Sequence, residues 1–447
     1  MATENITRRE AIARTSAGAL AVMSPMSLAG SFVAGSNSLA IAGGRPVRTA
    51  PWPGWPVWNP EAEPGILEML RSGRWWRGNG EHVVEFERRY AELIGTRRCQ
   101  ATASGTSALS IALHVLDVDA GDEVLVSPYT FIATYNVIFD IKALPVFVDS
   151  DPETFLIDPA GLEGRITDRT RAILPVHIYG LPVDMDRINQ TAKKHRLAVI
   201  EDACQAWLAQ YKGKKAGALG DLGCFSFQNS KHLPAGEGGA ITGNDDRIMD
   251  RCHSYHNCGR PYGSVAATSD YPVRGGNLRM QQVQALILMS QMQRLGPDTE
   301  LRAKNAAYLS ERLQDIPGIE PVKLVEGVER AVYHLYPFRY LSEHFNNAPK
   351  EKFMEALSRE GIPCSGGYGR QNHDGLIEEA LSSRGYKRLF SARRLKQWRE
   401  QNQLPGNDQL CREAVCFGQN MLLGSRKDMD DIAEAIHKIY EHRDQLM

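Results

Sequence analysis

The stretch Cys224-Phe225-Ser226-Phe227-Gln228-Asn229-Ser230-Lys231-His232-Leu233-Pro234-Ala235-Gly236-Glu237-Gly238-Gly239 sets a hydroxyl and an amine five residues apart, between a short apolar strand and a glycine-rich turn. A lysine attacks a carbonyl only when neutral, so a nucleophilic lysine needs burial or a nearby positive charge to lower its pKa. Phe225, Phe227 and Leu233 supply apolar flanks, and the glycines let the backbone approach a ligand closely. The competing reading is a surface lysine in a loop. The rest of the chain decides between the two.

With 447 residues and 43% hydrophobic content, the chain can bury a large core and form two domains. Its 52 basic and 53 acidic residues leave a net charge of -1, which supplies no broad footprint for nucleic acid or an anionic membrane. A small-molecule partner fits better. The eight cysteines (99, 204, 224, 252, 258, 364, 411 and 416) contain no C-x-x-C pair, so neither a zinc ribbon nor a dithiol redox motif is indicated, and no metal is expected.

Short apolar runs alternate with helical patterns, as in a parallel sheet with crossover helices. The runs are Glu123 to Ser127, Pro145 to Asp149, Ala172 to Val176, Leu197 to Ile200, Gly223 to Phe227 and Gly239 to Thr242. Candidate helices include Ser107 to Val115 and Met185 to His195, and a long helical stretch covers Met280 to Leu313. The alternation fades near residue 290. The expected organisation is a leader over 1–35, a large domain over 36–295 and a smaller C-terminal α/β domain over 296–447.

Ligands of such a sheet collect beyond the carboxyl ends of its strands, and four of those places carry suitable chemistry. After a short strand near Cys99 to Thr102, Gly105-Thr106-Ser107 turns into a helix whose first amides and hydroxyls can meet an anion such as phosphate. Helix capping is the plainer role for the same residues. After the second run, Tyr129 or Phe131 can stack on a flat heteroaromatic ring, or else pack in the core. Asp202 closes a fully apolar strand, where a carboxylate can keep a pyridinium nitrogen protonated, and Gln205 can orient the ring or its phenolic oxygen. The fourth place is the opening run, with Ser226 for a phosphate and Lys231 for a carbonyl. Their joint occurrence, in this order, points to pyridoxal 5'-phosphate.

These residues resemble the DegT, DnrJ, EryC and StrS group of pyridoxal phosphate aminotransferases, which act on keto sugars and keto cyclitols. The resemblance covers about residues 45 to 440. It rests on Ser72-Gly73-Arg74-Trp75-Trp76-Arg77-Gly78, Gly105 to Leu109, Tyr129-Thr130-Phe131, Val176 to Gly180, Glu201-Asp202-Ala203, Phe225 through Lys231 to Gly239, His256 to Arg260 and Gly276 to Met280. In wording, the chain is most similar to the branch of aminohydroxybenzoate synthases and glutamine:scyllo-inosose aminotransferases.

The resemblance implies a fold type I transferase, with a large mostly parallel sheet domain and a smaller C-terminal domain. It implies Lys231 as Schiff-base and proton-transfer residue, Asp202 on the pyridinium, Phe131 on the ring, and Gly105, Thr106, Ser107 and Ser226 around the phosphate. Asn277 matches a residue that reaches the phosphate of a neighbouring subunit, which implies a homodimer with shared active sites. The implied substrates are an amino donor, L-glutamate or L-glutamine, and a keto sugar or cyclitol acceptor. Tyr333 to Phe338 and Gly361 to Pro363 match segments near the substrate.

Two departures stand out: Gln205 where relatives often carry His, and Gln282 where an acidic residue is usual. A sister group of sugar dehydratases carries His at the Schiff-base position, but counting from Ser226 puts Lys231 there and His232 one place beyond. A cofactor-bound sensor protein and a secreted binding protein without the cofactor are the readings from other classes. Finally, Thr7-Arg8-Arg9-Glu10-Ala11-Ile12 precedes a mildly apolar stretch to Ala29, which resembles a twin-arginine export signal. That stretch is too short to span a bilayer, so no permanent membrane anchor is expected.

Overall fold

The computed structural model describes residues 38–266 and 270–446; the leader expected over 1–35 lies outside the described residues. Seven strands form the main sheet: β1 (Arg98–Thr102), β2 (Glu123–Val126), β3 (Leu144–Phe147), β4 (Thr170–Leu174), β5 (Ala198–Asp202), β6 (Leu222–Ser226) and β7 (Gly239–Gly243). They lie side by side in the order β1-β7-β6-β5-β4-β2-β3. β2, β3, β6 and β7 are buried along their whole length, as expected of strands covered on both faces.

Parallel pairing joins β3, β2, β4, β5 and β6. The run at Gly239–Thr242, read in the sequence with the parallel set, is the exception: β7 runs antiparallel to both β1 and β6. A parallel connection needs a crossover, usually helical, and Phe227–Gly238 contains no helix. The chain therefore turns straight back, and the loop that carries Lys231 is the turn.

Helix Met185–His195 has the expected bounds, opened by an Asp184 carboxylate that accepts the Arg187 N–H. Helix Gly105–Val115 starts two residues ahead of expectation because Ser104 caps it, its Oγ accepting the Ser107 N–H at 3.0 Å. The long helix Gln282–Leu313 is opened by reciprocal Gln281 and Gln284 side-chain bonds and continues past residue 295 through Pro297.

Beyond it lies a three-stranded antiparallel sheet of β8 (Ile319–Pro321), β9 (Leu335–Tyr340) and β10 (Ala414–Gly418), with β9 central. Helices Lys350–Arg359 and Arg426–Glu441 bury Phe353, Leu357, Ile432 and Ile436 in the same hydrophobic core as Phe338 and Phe417. The first described residues join this C-terminal part. Arg48 pairs with Asp428 and Asp431 at 2.5 and 2.8 Å, and the buried Glu360 carboxylate accepts the N–H groups of Ala40 and Val47.

Adjacent acids at the end of β5 have different tasks, because successive strand residues face opposite ways. Glu201 is fully buried, and its carboxylate accepts the N–H groups of Gly217, Leu219 and Gly220 at 2.6–2.7 Å. It also accepts His177 Nε2–H at 2.9 Å, the tautomer required because His177 Nδ1 accepts the Val183 N–H. Removing the carboxylate strands these buried donors. Glu201→Ala is expected to lower unfolding free energy by about 3 kcal/mol or more, read as a shift of the urea midpoint.

Candidate active site

Strands β1, β2, β5 and β6 all point their carboxyl ends at one edge of the sheet, and a cavity of about 470 Å³ opens there. Its floor is set by register. Gly239 pairs with Thr102 on one side and Ser226 on the other, so the helix-opening turn and the end of β6 stand next to one another. A Cβ on Gly239 would lie 2.3 Å from the Ser104 carbonyl, and one on Gly105 would lie 2.8 Å from Ser226 Cβ. Only glycine permits this approach.

The turn brings Ser104, Gly105 and Thr106 to the cavity at a helix amino terminus, with Ser226 beside them. Hydroxyls and unpaired amides at a helix start suit a phosphate. Ser107 stands behind the turn, its N–H and Oγ both engaged with Ser104 Oγ.

Of the two aromatic candidates after β2, Phe131 lines the cavity and is 57% exposed. Tyr129 is buried, its hydroxyl 3.0 Å from that of Tyr179. An apolar ring left open in a cavity is a surface on which a flat ligand can lie.

Asp202 reaches the cavity from the far side, where Oδ2 accepts Thr134 Oγ1–H at 2.8 Å and Oδ1 accepts the Cys204 N–H at 3.1 Å. Thr134 was not singled out from sequence. The available signal is its place four residues after Thr130, whose hydroxyl lies 2.8 Å from its own.

Gln205 also lines the cavity, with Oε1 accepting the Tyr179 N–H at 2.8 Å and Nε2 donating to Tyr368 Oη at 2.9 Å. Tyr368 comes from the segment after Gly361-Ile362-Pro363 and stacks on Tyr179 at 5.6 Å. Burial pushes its pKa up, so it presents a protonated hydroxyl.

Lys231 projects into the same cavity from the Phe227–Gly238 loop. Burial lowers its ammonium pKa, against the opposing pull of Cys204 and Asp202, which raises the share of neutral amine. His334 of β9's approach segment also lines the cavity. Its pKa is pushed well down by burial, then by Lys231 and Arg302.

Asn277 is not in this cavity. It is exposed, bridges to Asn257, and lies beside Trp75, Trp76, Arg77 and Arg279. Buried Arg77 anchors that face through a two-pronged pair with Glu87 at 2.7 and 2.9 Å, leaving Trp75 and Trp76 58% and 47% exposed. The departure at Gln282 has a reason here. Its Oε1 accepts the Val83 N–H, while Nε2 donates to the carbonyls of Trp76 and Arg77. A carboxylate has no proton for those two carbonyls.

The cavity thus combines a buried amine, a held carboxylate, an open ring and a phosphate-type turn. The family model for DegT/DnrJ/EryC1/StrS aminotransferases matches residues 59–416. The chain belongs to this family. As an aminotransferase it is an enzyme, and pyridoxal phosphate is the cofactor of its family.

An L-glutamine:2-deoxy-scyllo-inosose aminotransferase of Streptoalloteichus tenebrarius is 34% identical, covering 91% of this chain and 99% of the relative. The crystal structure of 3-amino-5-hydroxybenzoic acid synthase matches with a TM-score of 0.76 and 29% identity, over 86% of this chain and 97% of that one. A structure of ntda from Bacillus subtilis with bound cofactor PMP matches with a TM-score of 0.70 and 25% identity, over 86% and 83%. These likenesses accord with the type I α/β fold expected from sequence.

The lowered pKa of Lys231 has a measurable consequence in cofactor-free aminotransferase. Burial penalises the ammonium, a cost present below the folded pKa and gone above the ordinary lysine value of about 10.4. Lys231→Met is therefore expected to raise the melting temperature of the cofactor-free protein near neutral pH. The gain should shrink as pH rises toward 10, measured by scanning calorimetry across pH.

Proposed function

We propose that this enzyme moves an amino group from L-glutamine or L-glutamate to a keto cyclitol or keto sugar, using pyridoxal phosphate held at Lys231. The observation that carries this reading is the convergence of Lys231, Asp202, Phe131 and the Gly105–Thr106 turn on one cavity. The names of the 32–34% identical relatives, glutamine aminotransferases of inososes, support the substrate class.

When bound, pyridoxal phosphate supplies an electron sink for charge that develops at the substrate carbon. Asp202 is assigned the ring nitrogen, where its negative charge keeps a proton in place, with Thr134 and the Cys204 N–H holding the carboxylate in position. Thr106, Ser226 and the helix start are assigned the phosphate, and Phe131 the ring face. Gln205, held by Tyr179 and Tyr368, orients the ring edge. Lys231, neutral once its proton is shed, carries a proton between cofactor and substrate carbon.

Asn277, with Trp75 and Trp76 exposed on the same face, supports a homodimer in which this face completes the partner's cavity. Among the described residues no helix is long and apolar enough to cross a membrane. The Thr7–Ile12 motif supports export of the folded enzyme through a twin-arginine route. Fractionation of the native host should find the protein outside the cytoplasm; full-length protein confined to the cytoplasm would sink this point.

Lys231→Ala is expected to remove the visible absorbance of lysine-bound cofactor and to lower turnover by roughly 10²–10⁴-fold or more. Mixing wild-type holoenzyme with glutamine or glutamate alone should convert that absorbance to the amine form. A sensor protein need not respond, so no conversion with either donor would count against transamination. A panel of cyclic ketones as acceptors then reads the substrate class directly.

A further inference from the structure

The Pro- and Trp-rich segment Ala50–Asn59 has no part in the cavity wall, yet it reaches the backbone of the active lysine. Trp55 Nε1 donates to the Lys231 carbonyl at 3.1 Å. The Lys231 N–H is engaged within its own loop, donating to the Gln228 carbonyl at 2.9 Å. The peptide groups on either side of the Lys231 Cα are therefore held from two directions, one by the loop and one by Trp55.

We propose that Trp55 is a positioning residue for Lys231, and that the segment around it is a strap that fixes where the lysine side chain leaves the backbone.

Two independent features hold the indole in place. The guanidinium of Arg302 lies 5.0 Å from the ring centroid and that of Arg294 lies 5.4 Å away. Arg302 is fully buried, and neither Nη1 nor Nη2 has a hydrogen-bond partner within the protein. Burial lowers its pKa to about 9 against the opposing pull of Asp298, and the indole face adds a further contact to its charge. Cation–π contacts strengthen when desolvated, so swinging the ring off Arg302 removes one of the few contacts that offset its buried charge, beside the Asp298 carboxylate and the Gln419 carbonyl that accepts its Nε–H.

The strap itself is tied at both sides of Trp55. Trp52 Nε1 donates to the Gly361 carbonyl, Asn420 Nδ2 to the Pro53 carbonyl, and Gln291 Nε2 to the Val57 carbonyl. One short segment thus links the C-terminal part, the long helix and the lysine loop. Displacing a reacting group by an ångström can cost up to a hundredfold in rate, so a tether on the lysine backbone bears on turnover more than on binding.

The proposal rests on Lys231 as the residue that holds the cofactor. Trp55→Phe keeps a ring over Arg302 and removes the N–H; Trp55→Ala removes both. In the holoenzyme, Trp55→Phe is expected to retain the cofactor and most of its melting temperature. Its kcat per bound cofactor should fall roughly ten- to a hundredfold, with KM for the amino donor changed far less. The pH at which the lysine-bound absorbance titrates should shift, a change that loss of packing alone would not cause. Trp55→Ala should add a drop in melting temperature.

Unchanged kcat and an unchanged titration in Trp55→Phe, or losses in both variants confined to melting temperature, overturn the proposal. The same spectra separate this from a failure of the lysine assignment. Wild type without lysine-bound absorbance defeats that assignment, whereas normal wild-type spectra with a wild-type-like Trp55→Phe defeat the strap alone.

Discussion

Everything at the cavity depends on the register of two strand pairs. Gly239 is bonded between Thr102 and Ser226, and Asp202 stands opposite Cys224. A slip of one residue in a strand turns every side chain to the other face. At β5 it would exchange Asp202 for Glu201, sending the cavity carboxylate into the core and stranding the three backbone donors that Glu201 satisfies. Register is therefore enforced from both faces, by hydrogen bonds on one and by close glycine packing along the neighbouring strands.

The direct return of β7 follows from the same economy of chain. With only a loop between β6 and β7, the chain reverses at the carboxyl edge, where Asp202 and Ser226 already stand. Lys231 thus reaches the cavity without a helix to carry it, and its loop needs restraint from outside. A hydrogen bond from Trp55, with the buried Arg302 and the half-buried Arg294 against the Trp55 ring, provides that restraint. Burial around the loop also keeps the lysine amine and the imidazoles of His232 and His334 biased toward their neutral forms.

A second polar system supports the exposed face around Asn277. Arg77 and Glu87 form a buried pair that also engages Gln100 and the Ala101 N–H. This ties the Trp75-Trp76 loop to β1, the strand that leads into the phosphate-type turn. Gln282 finishes the arrangement with two donors to that loop. Two exposed tryptophans thus stand on a firmly braced face.

Local order was legible in the residues themselves. Apolar runs bounded by small and acidic residues identified the strands, and the Ser226–Lys231 spacing, the strand-end Asp202, the Gly105 turn and Phe131 marked the cavity. These features are local because a strand end, a helix cap and a tight turn each depend on a few neighbouring residues. Tertiary structure alone decided that Tyr129 is buried in the core, and that β7 runs against its neighbours. It also decided that Ser107 backs the turn, that Thr134 and Tyr368 line the cavity, and that Trp55 reaches the lysine backbone, whereas His334 lies in the Tyr333 to Phe338 segment that the resemblance already set near the substrate. Each of those outcomes depends on contacts between residues far apart in the chain, and no local spacing encodes which distant side chain will supply a missing donor or fill an open face.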